Sequence, residues 1–253
     1  MAAPQASDPE DLAAALLEAD RVVVLTGLSL GGPESLDLTH AHGEWARRAS
    51  LEAFLTEPAR FWEYFYPTAQ TIAARTPGAG HDAIARLERA GVVSALITQS
   101  VDRLHARAGS TDPVEVYGTV LVIRCERCEE RYGLPEAGAM LAAAGDGVPR
   151  CTTPGCGYPV RPEGTLWGEA LPRSAVERAW ELAAQADAFV VLDSDLRTAP
   201  ISLLPSVPLT RGVPLFLIGE TPTQYDRYAE MVVRLPGDAL ITAVADLIAP
   251  VPG

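Results

Sequence analysis

Four short apolar runs, rich in valine, leucine, isoleucine and phenylalanine, occur at wide intervals along the chain. Continuous runs of this length are typical of parallel strands that are buried on both faces of a sheet. We therefore predict four central strands and one short edge strand near the end of the chain. The central strands are Arg21–Thr26, Val92–Thr98, Asp187–Leu192 and Val213–Ile218, and the edge strand is Met231–Leu235.

Segments with helical spacing of their apolar residues lie around and between these runs. The predicted helices are Asp11–Ala19, Asp82–Ala90, Ser174–Ala186 and Asp238–Ile248. Strands that alternate with helices indicate an α/β fold, in which helices cover both faces of a parallel sheet. Ligands of such sheets bind at the carboxyl ends of the strands. Those ends are Gly27, Thr98-Gln99, Asp193-Ser194-Asp195 and Gly219-Glu220.

Three segments depart from this alternation. Residues 44–90 have helical spacing and many aromatic side chains, and we expect Pro58 and Pro67 to cut them into short helices. Pro200–Pro214 is proline-rich and is expected to form a loop or a short broken helix. The loop Gly27–Asp37 follows a buried strand directly, an arrangement that presents backbone N–H groups to phosphates. Its glycines match neither GxGxxG nor a Walker loop, so a tight strand-to-helix turn explains them equally well.

Composition limits the class of protein. The chain has 253 residues, 48% of them hydrophobic, which suffices for one large domain or for one domain with a smaller module. Its net charge is −13 and all its basic residues are arginine, which argues against a nucleic-acid-binding surface. The acidic surface permits a basic protein partner, although simple solvation explains it too. Without a bilayer-length apolar run or an export signal, we expect a cytoplasmic protein with no membrane contact.

Four cysteines form two close pairs, Cys125-x2-Cys128 and Cys151-x4-Cys156. Thiolates at this spacing can surround one tetrahedral zinc ion. The alternatives are two disulfides, which a cytosolic location disfavours, and four unrelated buried thiols, which the pairing disfavours. No histidine or carboxylate offers an open position, so we predict a closed, structural zinc site. It would hold a module of roughly residues 120–165 that has little core of its own.

Several gapped motifs, in order from about Leu12 to Ile248, resemble those of the sirtuin family. VVVLTG resembles the family's dinucleotide-binding strand, ITQSVDRLHARAGS its TQNIDxLHxxAGS, VEVYGTVLVIRCERC its ELHGxxxxxxCxxC, and CGYPVRPEGTLWGEALP its CGGxLRPxVVxFGExLP. The resemblance implies the sirtuin fold: a Rossmann-like parallel-sheet domain, a smaller zinc-binding domain and a helical module. It also implies NAD-dependent removal of acyl groups from lysine, in which a histidine acts as general base.

The resemblance also divides the chain. Residues 1–10 would form a flexible tail, and residues 11–37, 82–118 and 172–253 the Rossmann-like large domain. Residues 38–81 would form the helical module, and residues 119–171 the zinc-binding small domain and linker. Pro162–Leu171 resembles the strand that pairs with an acyl-lysine peptide, although a structural linker is an alternative. The groove residues implied are Gly164, Leu166, Trp167, Gly168 and Glu169.

The position of the family's catalytic histidine holds Tyr117. An unperturbed tyrosine has a pKa of about 10 and is a poor proton acceptor at neutral pH, whereas histidine, at about 6.5, is well placed. Lowering the pKa of a phenol by about three units would take about 4 kcal/mol of local electrostatic stabilisation. This acidic chain is not an obvious source of it. Asp102 is the alternative base.

The family's NAD-binding positions are Gly27, Gln99, Ser100, Asp102, Asp193, Ser194 and Asp195. Gln99 and Asp102 match the family, but Ser100 replaces an asparagine and Asp193-Ser194-Asp195 replaces Gly-Thr-Ser. Gly219 stands where the family has an asparagine. Two carboxylates facing a pyrophosphate would repel it, because a like-charge pair at about 4 Å costs about 1 kcal/mol in water and about 4 kcal/mol at an effective dielectric constant of about 20. NAD binding is therefore expected to be impaired.

Three functions remain open from the sequence. The first is a sirtuin-like protein without deacylase activity that serves as a binding, regulatory or assembly subunit, with a protein or an acyl-lysine peptide as partner. The second is an NAD-dependent lysine deacylase, or another NAD-consuming enzyme, with an atypical active site. The third is a repurposed cleft, in which Asp193 and Asp195 bind a cationic ligand. The oligomeric state is not predicted.

Overall fold

The computed structural model of the chain describes residues 9–28, 30 and 43–250. In chain order, its strands are β1 Val22–Thr26, β2 Val93–Thr98, β3 Val114–Glu115, β4 Val122–Cys125, β5 Arg131–Gly133, β6 Val160–Pro162, β7 Ala188–Leu192, β8 Leu215–Ile218 and β9 Met231–Val233. Its α-helices are α1 Pro9–Glu18, α2 Glu44–Arg48, α3 Leu51–Thr56, α4 Pro58–Ala73, α5 Ala79–Arg89, α6 Leu104–Ala108, α7 Leu134–Ala143, α8 Arg173–Gln185, α9 Ser206–Thr210 and α10 Gly237–Ile248. Short 3-10 helices cover Ile201–Leu203 and Asp226–Tyr228.

Six of the strands form one parallel sheet in the order β3-β2-β1-β7-β8-β9. All five residues of β1 and all five of β7 are buried, as expected for strands covered on both faces. The register pairs Thr26 with both Thr98 and Leu192, and Leu192 with Ile218. The carboxyl ends of the four central strands therefore meet at one edge. The predicted α/β architecture is confirmed.

Helices pack on both faces of this sheet. On one face α1, α5 and α10 bury leucine and isoleucine side chains against the strands, among them Leu12, Ile84 and Ile241. On the other face α8 packs through Ala179 and Ala183, together with Ile201 and Leu204 from the predicted Pro200–Pro214 segment. That segment forms the short 3-10 helix and α9, as the prediction of a broken helix required.

The remaining elements form a smaller unit. β4 pairs antiparallel with β5 and β6 in a three-stranded sheet. Its apolar residues Ile123 and Val160, with Leu134 of α7, pack against Trp62 and Phe65 of α4 in one hydrophobic core. The segments 38–81 and 119–171, expected as two parts, thus share a core in the residues described. This agrees with the prediction that the zinc-bearing segment has little core of its own.

Most element boundaries lie within one or two residues of the predictions, and one start differs by three residues. α5 begins at Ala79 rather than Asp82 because the Gly78 N–H donates to His81 Nδ1 at 3.2 Å, which caps the helix start. The predicted tail, 1–10, lies outside the described residues except for Pro9 and Glu10, which begin α1. Most of the predicted loop Gly27–Asp37 also lies outside them. No helix among the described residues is long and apolar enough to cross a membrane.

The expectation that Pro67 ends a helix is wrong. α4 runs through it from Pro58 to Ala73. Interior proline removes one backbone hydrogen bond and costs about 3 kcal/mol, but the buried face of α4 outweighs this cost. That face includes Phe61, Trp62 and Phe65, and burial of each such side chain contributes about 1.5 to 3 kcal/mol.

We predict that Pro67→Ala stabilises the protein by about 1 to 3 kcal/mol, because Pro67 is exposed and its replacement restores the helical hydrogen bond without loss of packing. The measurement is urea-induced unfolding followed by circular dichroism. Pro58→Ala is the matched control: Pro58 is the first residue of the same helix, where proline is harmless. Equal effects of the two substitutions would contradict this explanation.

Candidate functional site

A cavity of about 800 Å³ opens at the carboxyl edge of the main sheet. The strand order reverses here between β1 and β7, the place where open α/β sheets bind ligands. The volume lies in the upper part of the range of small-molecule and cofactor sites. Of the predicted site residues, the cavity wall includes Gln99, Tyr117, Leu166, Trp167, Gly168, Glu169, Asp193, Ser194 and Asp195.

Gly27 holds β1 and β7 together at this edge. Its N–H donates to the Leu192 carbonyl at 2.8 Å, and a β-carbon added at Gly27 would lie 1.8 Å from the carbonyl oxygen of Asp193. Only glycine fits this close approach. The described part of the cavity wall includes the neighbouring Leu28 rather than Gly27, which has a packing role in this structure.

Ser100 and Asp102 lie in the turn after β2 and are buried. The Ser100 N–H donates to Thr98 Oγ1 at 3.0 Å, and the Asp102 carboxylate accepts a hydrogen bond from the Leu104 N–H at 3.0 Å at the start of α6. Neither belongs to the described part of the cavity wall. Asp102, the alternative base, therefore stabilises the turn in this structure.

Buried polar side chains stabilise the turn after β2 through hydrogen bonds. Thr26 Oγ1 donates to Thr98 Oγ1 at 2.9 Å and lies 3.0 Å from His105 Nε2. Burial, and then the neighbouring His81, lower the pKa of His105 to about 3. His105 is therefore neutral and joins the ends of β1 and β2 as part of the scaffold.

A directed chain of hydrogen bonds ends at Tyr117. The Leu196 N–H donates to Ser194 Oγ at 3.3 Å, and the Ser194 hydroxyl donates to Gln99 Oε1 at 2.6 Å. The Gln99 amide then donates to the Tyr117 hydroxyl oxygen at 3.5 Å. In this arrangement Ser194 accepts from the Leu196 N–H and donates to Gln99, so the chain runs toward Tyr117. The Tyr117 hydroxyl also has a hydrogen-bond partner in Thr198.

The environment of Tyr117 opposes its ionisation. Burial raises the pKa of the phenol above its ordinary value of 10.0, and Asp195 adds to that rise. Hydrogen bonds from Gln99 and Thr198 act in the other direction but are the smaller effects. The net shift is upward, so Tyr117 is protonated at neutral pH. It is a hydrogen-bond donor and a poor general base.

Asp193 follows β7 with a left-handed backbone, at φ 49°. Both of its carboxylate oxygens lie 3.0 Å from the Gly237 N–H, at the first residue of α10. The helix N-terminus is a favourable place for a negative charge. Burial nevertheless raises the pKa of Asp193 to about 6; the Gly237 hydrogen bond lowers it, and Asp238 and Glu220 raise it further.

Asp195 also has a nearby cationic partner. Its side chain accepts a hydrogen bond from the Arg197 N–H at 3.2 Å and lies 3.8 Å from the Arg197 guanidinium. The expectation of two carboxylates directed freely at a pyrophosphate therefore needs correction. Asp193 faces a helix N-terminus and Asp195 faces an arginine, and the sequence alone does not show either partner.

The candidate peptide segment is anchored to the small unit. Trp167 forms a parallel bridge with Ser50: the Leu51 N–H donates to the Trp167 carbonyl at 2.9 Å, and the Trp167 N–H donates to the Ala49 carbonyl at 3.4 Å. Gly168 is exposed and lines the cavity. Gly164 lies outside the described wall and allows close packing, since a β-carbon there would lie 2.9 Å from the Thr119 carbonyl oxygen.

A buried ion pair fixes the same segment. The guanidinium of Arg161, 6% exposed, donates to both carboxylate oxygens of Glu169, at 2.8 and 2.6 Å. Glu169 also accepts a hydrogen bond from the Leu166 N–H at 3.0 Å. Two hydrogen bonds in parallel set the geometry as well as the charge pairing. The loop between Leu166 and Glu169 therefore has a fixed shape.

The four cysteines meet on the small unit. Their sulfur atoms all lie within 4.8 Å of one another, with Cys125 and Cys156 at 3.6 Å and Cys128 and Cys151 at 3.5 Å. A tetrahedral zinc ion with bonds of about 2.3 Å holds its sulfurs roughly 3.8 Å apart, so this cluster can hold zinc. The Tyr132 hydroxyl lies 3.0 Å from Cys151 Sγ, where it can orient a ligating thiolate.

Some residues at the cavity were not expected from the sequence. Trp45 reaches the wall from α2, and Arg197 and Thr198 from the loop after β7. Trp45 is one of the many aromatic residues of the 44–90 segment, and nothing in that pattern marks it as a cavity residue. Its position in the wall depends on how the small unit packs against the sheet, for which no local pattern exists.

The structure thus combines a Rossmann-type parallel sheet, a cavity at its switch point and a four-cysteine cluster that could hold a metal ion. A family profile described as Sir2 family matches residues 39–200. The chain belongs to the Sir2 family, the sirtuins.

Relatives and solved structures agree with this membership. The chain is 31% identical over 242 residues to NAD-dependent protein deacetylase 1 of Pyrobaculum aerophilum, covering 94% of this chain and 93% of the relative. It is 34% identical over 229 residues to NAD-dependent protein deacylase of Thermus thermophilus, covering 87% of each.

Two solved structures are similar over nearly the full chain. Sir2 bound to acetylated peptide matches with a TM-score of 0.87 at 26% identity, covering 97% of this chain and 100% of that one. A Sir2 histidine-to-tyrosine mutant with a peptide and NAD matches with a TM-score of 0.84 at 28% identity, covering 95% and 98%.

We predict one zinc ion per chain, lost in Cys128→Ser. Because the metal site shares its core with α4, zinc loss should also lower the melting temperature and shift the tryptophan fluorescence from Trp45 and Trp62. Elemental analysis and thermal unfolding measure these effects. Tyr132→Phe, which removes a neighbouring hydroxyl but no ligand, is the control and should retain zinc. Zinc-free wild-type protein with an unchanged melting temperature would contradict the assignment.

We predict that Asp193→Asn stabilises the protein increasingly as pH rises from about 4 to about 7. The folded-state pKa of Asp193, about 6, lies above its ordinary value of 3.8. The folded wild type therefore binds this proton more tightly, and that stability is lost as pH rises through both values. Two pKa units set an upper limit of about 3 kcal/mol, reduced by solvent at the cavity mouth.

Urea unfolding at several pH values measures this difference. Glu220→Gln removes one of the negative charges that raise the pKa of Asp193, so it should shrink the pH-dependent part of the effect. A pH-independent difference between Asp193→Asn and wild type would show that the carboxyl titrates in the same range folded and unfolded.

Proposed function

We propose that this sirtuin binds an acyl-lysine peptide and NAD in the cavity, and that Tyr117 makes it a poor NAD-dependent deacylase. Its main role is then binding, with a regulatory or assembly function toward an acylated protein. The orientation of Tyr117 is the observation that carries the proposal: its hydroxyl oxygen accepts the Gln99 amide, and burial keeps the phenol protonated. A group in that state cannot remove a proton at neutral pH.

The same orientation suits recognition of the acyl group. The protonated phenol can donate to the carbonyl oxygen of an acyl-lysine amide. Apolar side chains of the wall, Val101, Val120, Leu166 and Trp167, offer contacts for the acyl and lysine methylenes. This sequence contains no lysine, so the acyl-lysine must come from another protein.

The position of the cavity in the sheet and its polar groups are also suited to bind NAD. It lies at the topological switch point and includes Gln99 and Ser194 among its polar groups. In sirtuin chemistry NAD supplies the sugar carbon that the acyl oxygen attacks, and a base on the protein assists. The solved Sir2 histidine-to-tyrosine mutant holds both peptide and NAD. A Sir2 protein with tyrosine in place of a histidine can therefore hold both ligands. We propose that this chain likewise binds both ligands while turning them over poorly.

The second candidate is a working NAD-dependent deacylase. The names of the relatives, at 31% and 34% identity over most of their length, favour it. It requires a base other than Tyr117, and Asp102 is buried outside the described part of the cavity wall. A cytoplasmic location for either function is likewise a proposal from the sequence.

We predict that Tyr117→His raises the rate of nicotinamide release from NAD and acetyl-lysine peptide by about 100-fold or more, because a positioned general base contributes about 10² to 10⁴ in rate. Chromatography of nicotinamide and mass spectrometry of the peptide measure it. Tyr117→Phe is the matched control: it should leave turnover at the wild-type level and weaken peptide binding about three- to tenfold by loss of one hydrogen bond.

Other outcomes discriminate between the candidates. Wild-type turnover equal to that of Tyr117→His would favour the working deacylase. A wild-type protein that binds neither acetyl-lysine peptide nor NAD by calorimetry, but is stabilised by cationic metabolites in thermal shift, would favour the repurposed cleft.

A further inference from the structure

The carboxylate of Asp193 occupies a prepared space at the switch point. A β-carbon at Gly219 would lie 3.2 Å from Asp193 Cα and Oδ1, and one at Gly237 would lie 2.8 Å from Oδ2. The absence of side chains at these two positions therefore leaves room for the carboxylate. These glycines follow β8 and begin α10, so three elements converge on Asp193.

Asp193 and Gly219 differ from the sirtuin pattern in complementary ways. The pattern has glycine at the position of Asp193 and asparagine at that of Gly219. Here the side chain after β8 is absent, and an oxygen acceptor from β7 lies next to the space where it would begin. β7 and β8 are neighbouring strands whose ends are in register. At this edge of the cavity the polar acceptor therefore follows β7, whereas in the sirtuin pattern it follows the strand equivalent to β8.

This arrangement is unfavourable for the fold alone. Asp193 has a positive φ of 49°, a region that glycine adopts without strain. Its carboxylate is largely buried beside Asp238 and Glu220, two further negative groups. Hydrogen bonds to Gly237 offset part of the cost, yet water or a local side chain can serve a helix start equally well. A costly side chain on the wall of a ligand cavity points to a ligand.

The carboxylate retains hydrogen-bonding capacity toward the cavity. Its two oxygens offer about four acceptor positions, and the one described N–H donor, from Gly237, is shared between them. Neutral hydroxyl groups are suitable donors for the rest, because they bring no further charge. Carboxylates at the ends of strands in dinucleotide-binding sheets commonly accept hydrogen bonds from ribose hydroxyls.

We propose that Asp193 is the ribose anchor of this site: its carboxylate accepts hydrogen bonds from the vicinal hydroxyls of a nucleoside ribose. The residue selects ligands with an unmodified ribose and rejects a 2′-phosphate, whose negative charges would lie next to the carboxylate. The inference rests on the NAD-binding part of the proposed function. It reverses the expectation that Asp193 only repels the cofactor.

The test is calorimetric titration of wild type and variants with ADP-ribose, NAD and NADP, without peptide. Wild type should bind ADP-ribose and NAD, and NADP should bind about 30-fold more weakly than NAD because of like-charge repulsion. Asp193→Ala should weaken ADP-ribose binding about tenfold or more through loss of the hydroxyl contacts. The same variant should reduce the preference for NAD over NADP.

Two further variants separate ligand recognition from helix capping. Asp193→Asn keeps one acceptor for Gly237 or for a hydroxyl and should give an intermediate affinity. The double variant Asp193→Gly with Gly219→Asn restores the sirtuin pattern and should recover ADP-ribose binding if its melting temperature shows that asparagine is tolerated at the φ of 147° of Gly219. Melting temperatures identify any variant that fails to fold, and the near-isosteric Asp193→Asn supplies the decision in that case.

The proposal is overturned if Asp193→Ala binds ADP-ribose as tightly as wild type, because Asp193 would then only cap α10. Tighter binding by that variant would identify Asp193 as a barrier and also overturn it. So would a wild type that binds no ADP-ribose at millimolar concentration. Peptide binding measured separately reports on the proposed function at Tyr117, so failure of the ribose anchor and failure of the acyl-lysine site are distinguishable.

Discussion

The contact between Gly27 and the backbone of Asp193 is the constraint on which the site depends. It brings the ends of β1 and β7 so close that no β-carbon fits at Gly27. All groups of the cavity that follow a central strand are positioned from this point, because the register aligns the ends of β2 and β8 with those of β1 and β7. Side chains 95 residues apart, such as Gln99 and Ser194, then form a hydrogen bond of 2.6 Å.

The scaffold was predictable from the sequence because its signals are local. A buried parallel strand is a short apolar run, a helix has a period of 3.6 residues, and the cysteine pairs have metal-ligand spacing. Pro67 is an instructive failure. Its local preference to end a helix is real, but burial of Phe61, Trp62 and Phe65 on the same helix is worth more. That comparison requires knowing what the helix packs against.

The site was only partly predictable, because its chemistry depends on partners distant in the chain. The sequence shows the negative charges of Asp193 and Asp195 but not the Gly237 N–H or the path that returns Arg197 to Asp195. It places Asp102 in a motif, but not against the Leu104 N–H. Counting charges therefore overstated the repulsion expected for an anionic ligand. Direction and partner determine whether a carboxylate repels a ligand or binds it.

Tyr117 shows the same principle in its hydrogen bonds. Its residue type alone predicts a weak base, and the structure adds that its hydroxyl oxygen accepts the Gln99 amide while burial raises its pKa. The phenol therefore stays protonated at neutral pH and can act as a donor. A cavity with a protonated phenol and an apolar wall is suited to bind a carbonyl group, and the proposed binding of an acyl amide does not require proton transfer to Tyr117.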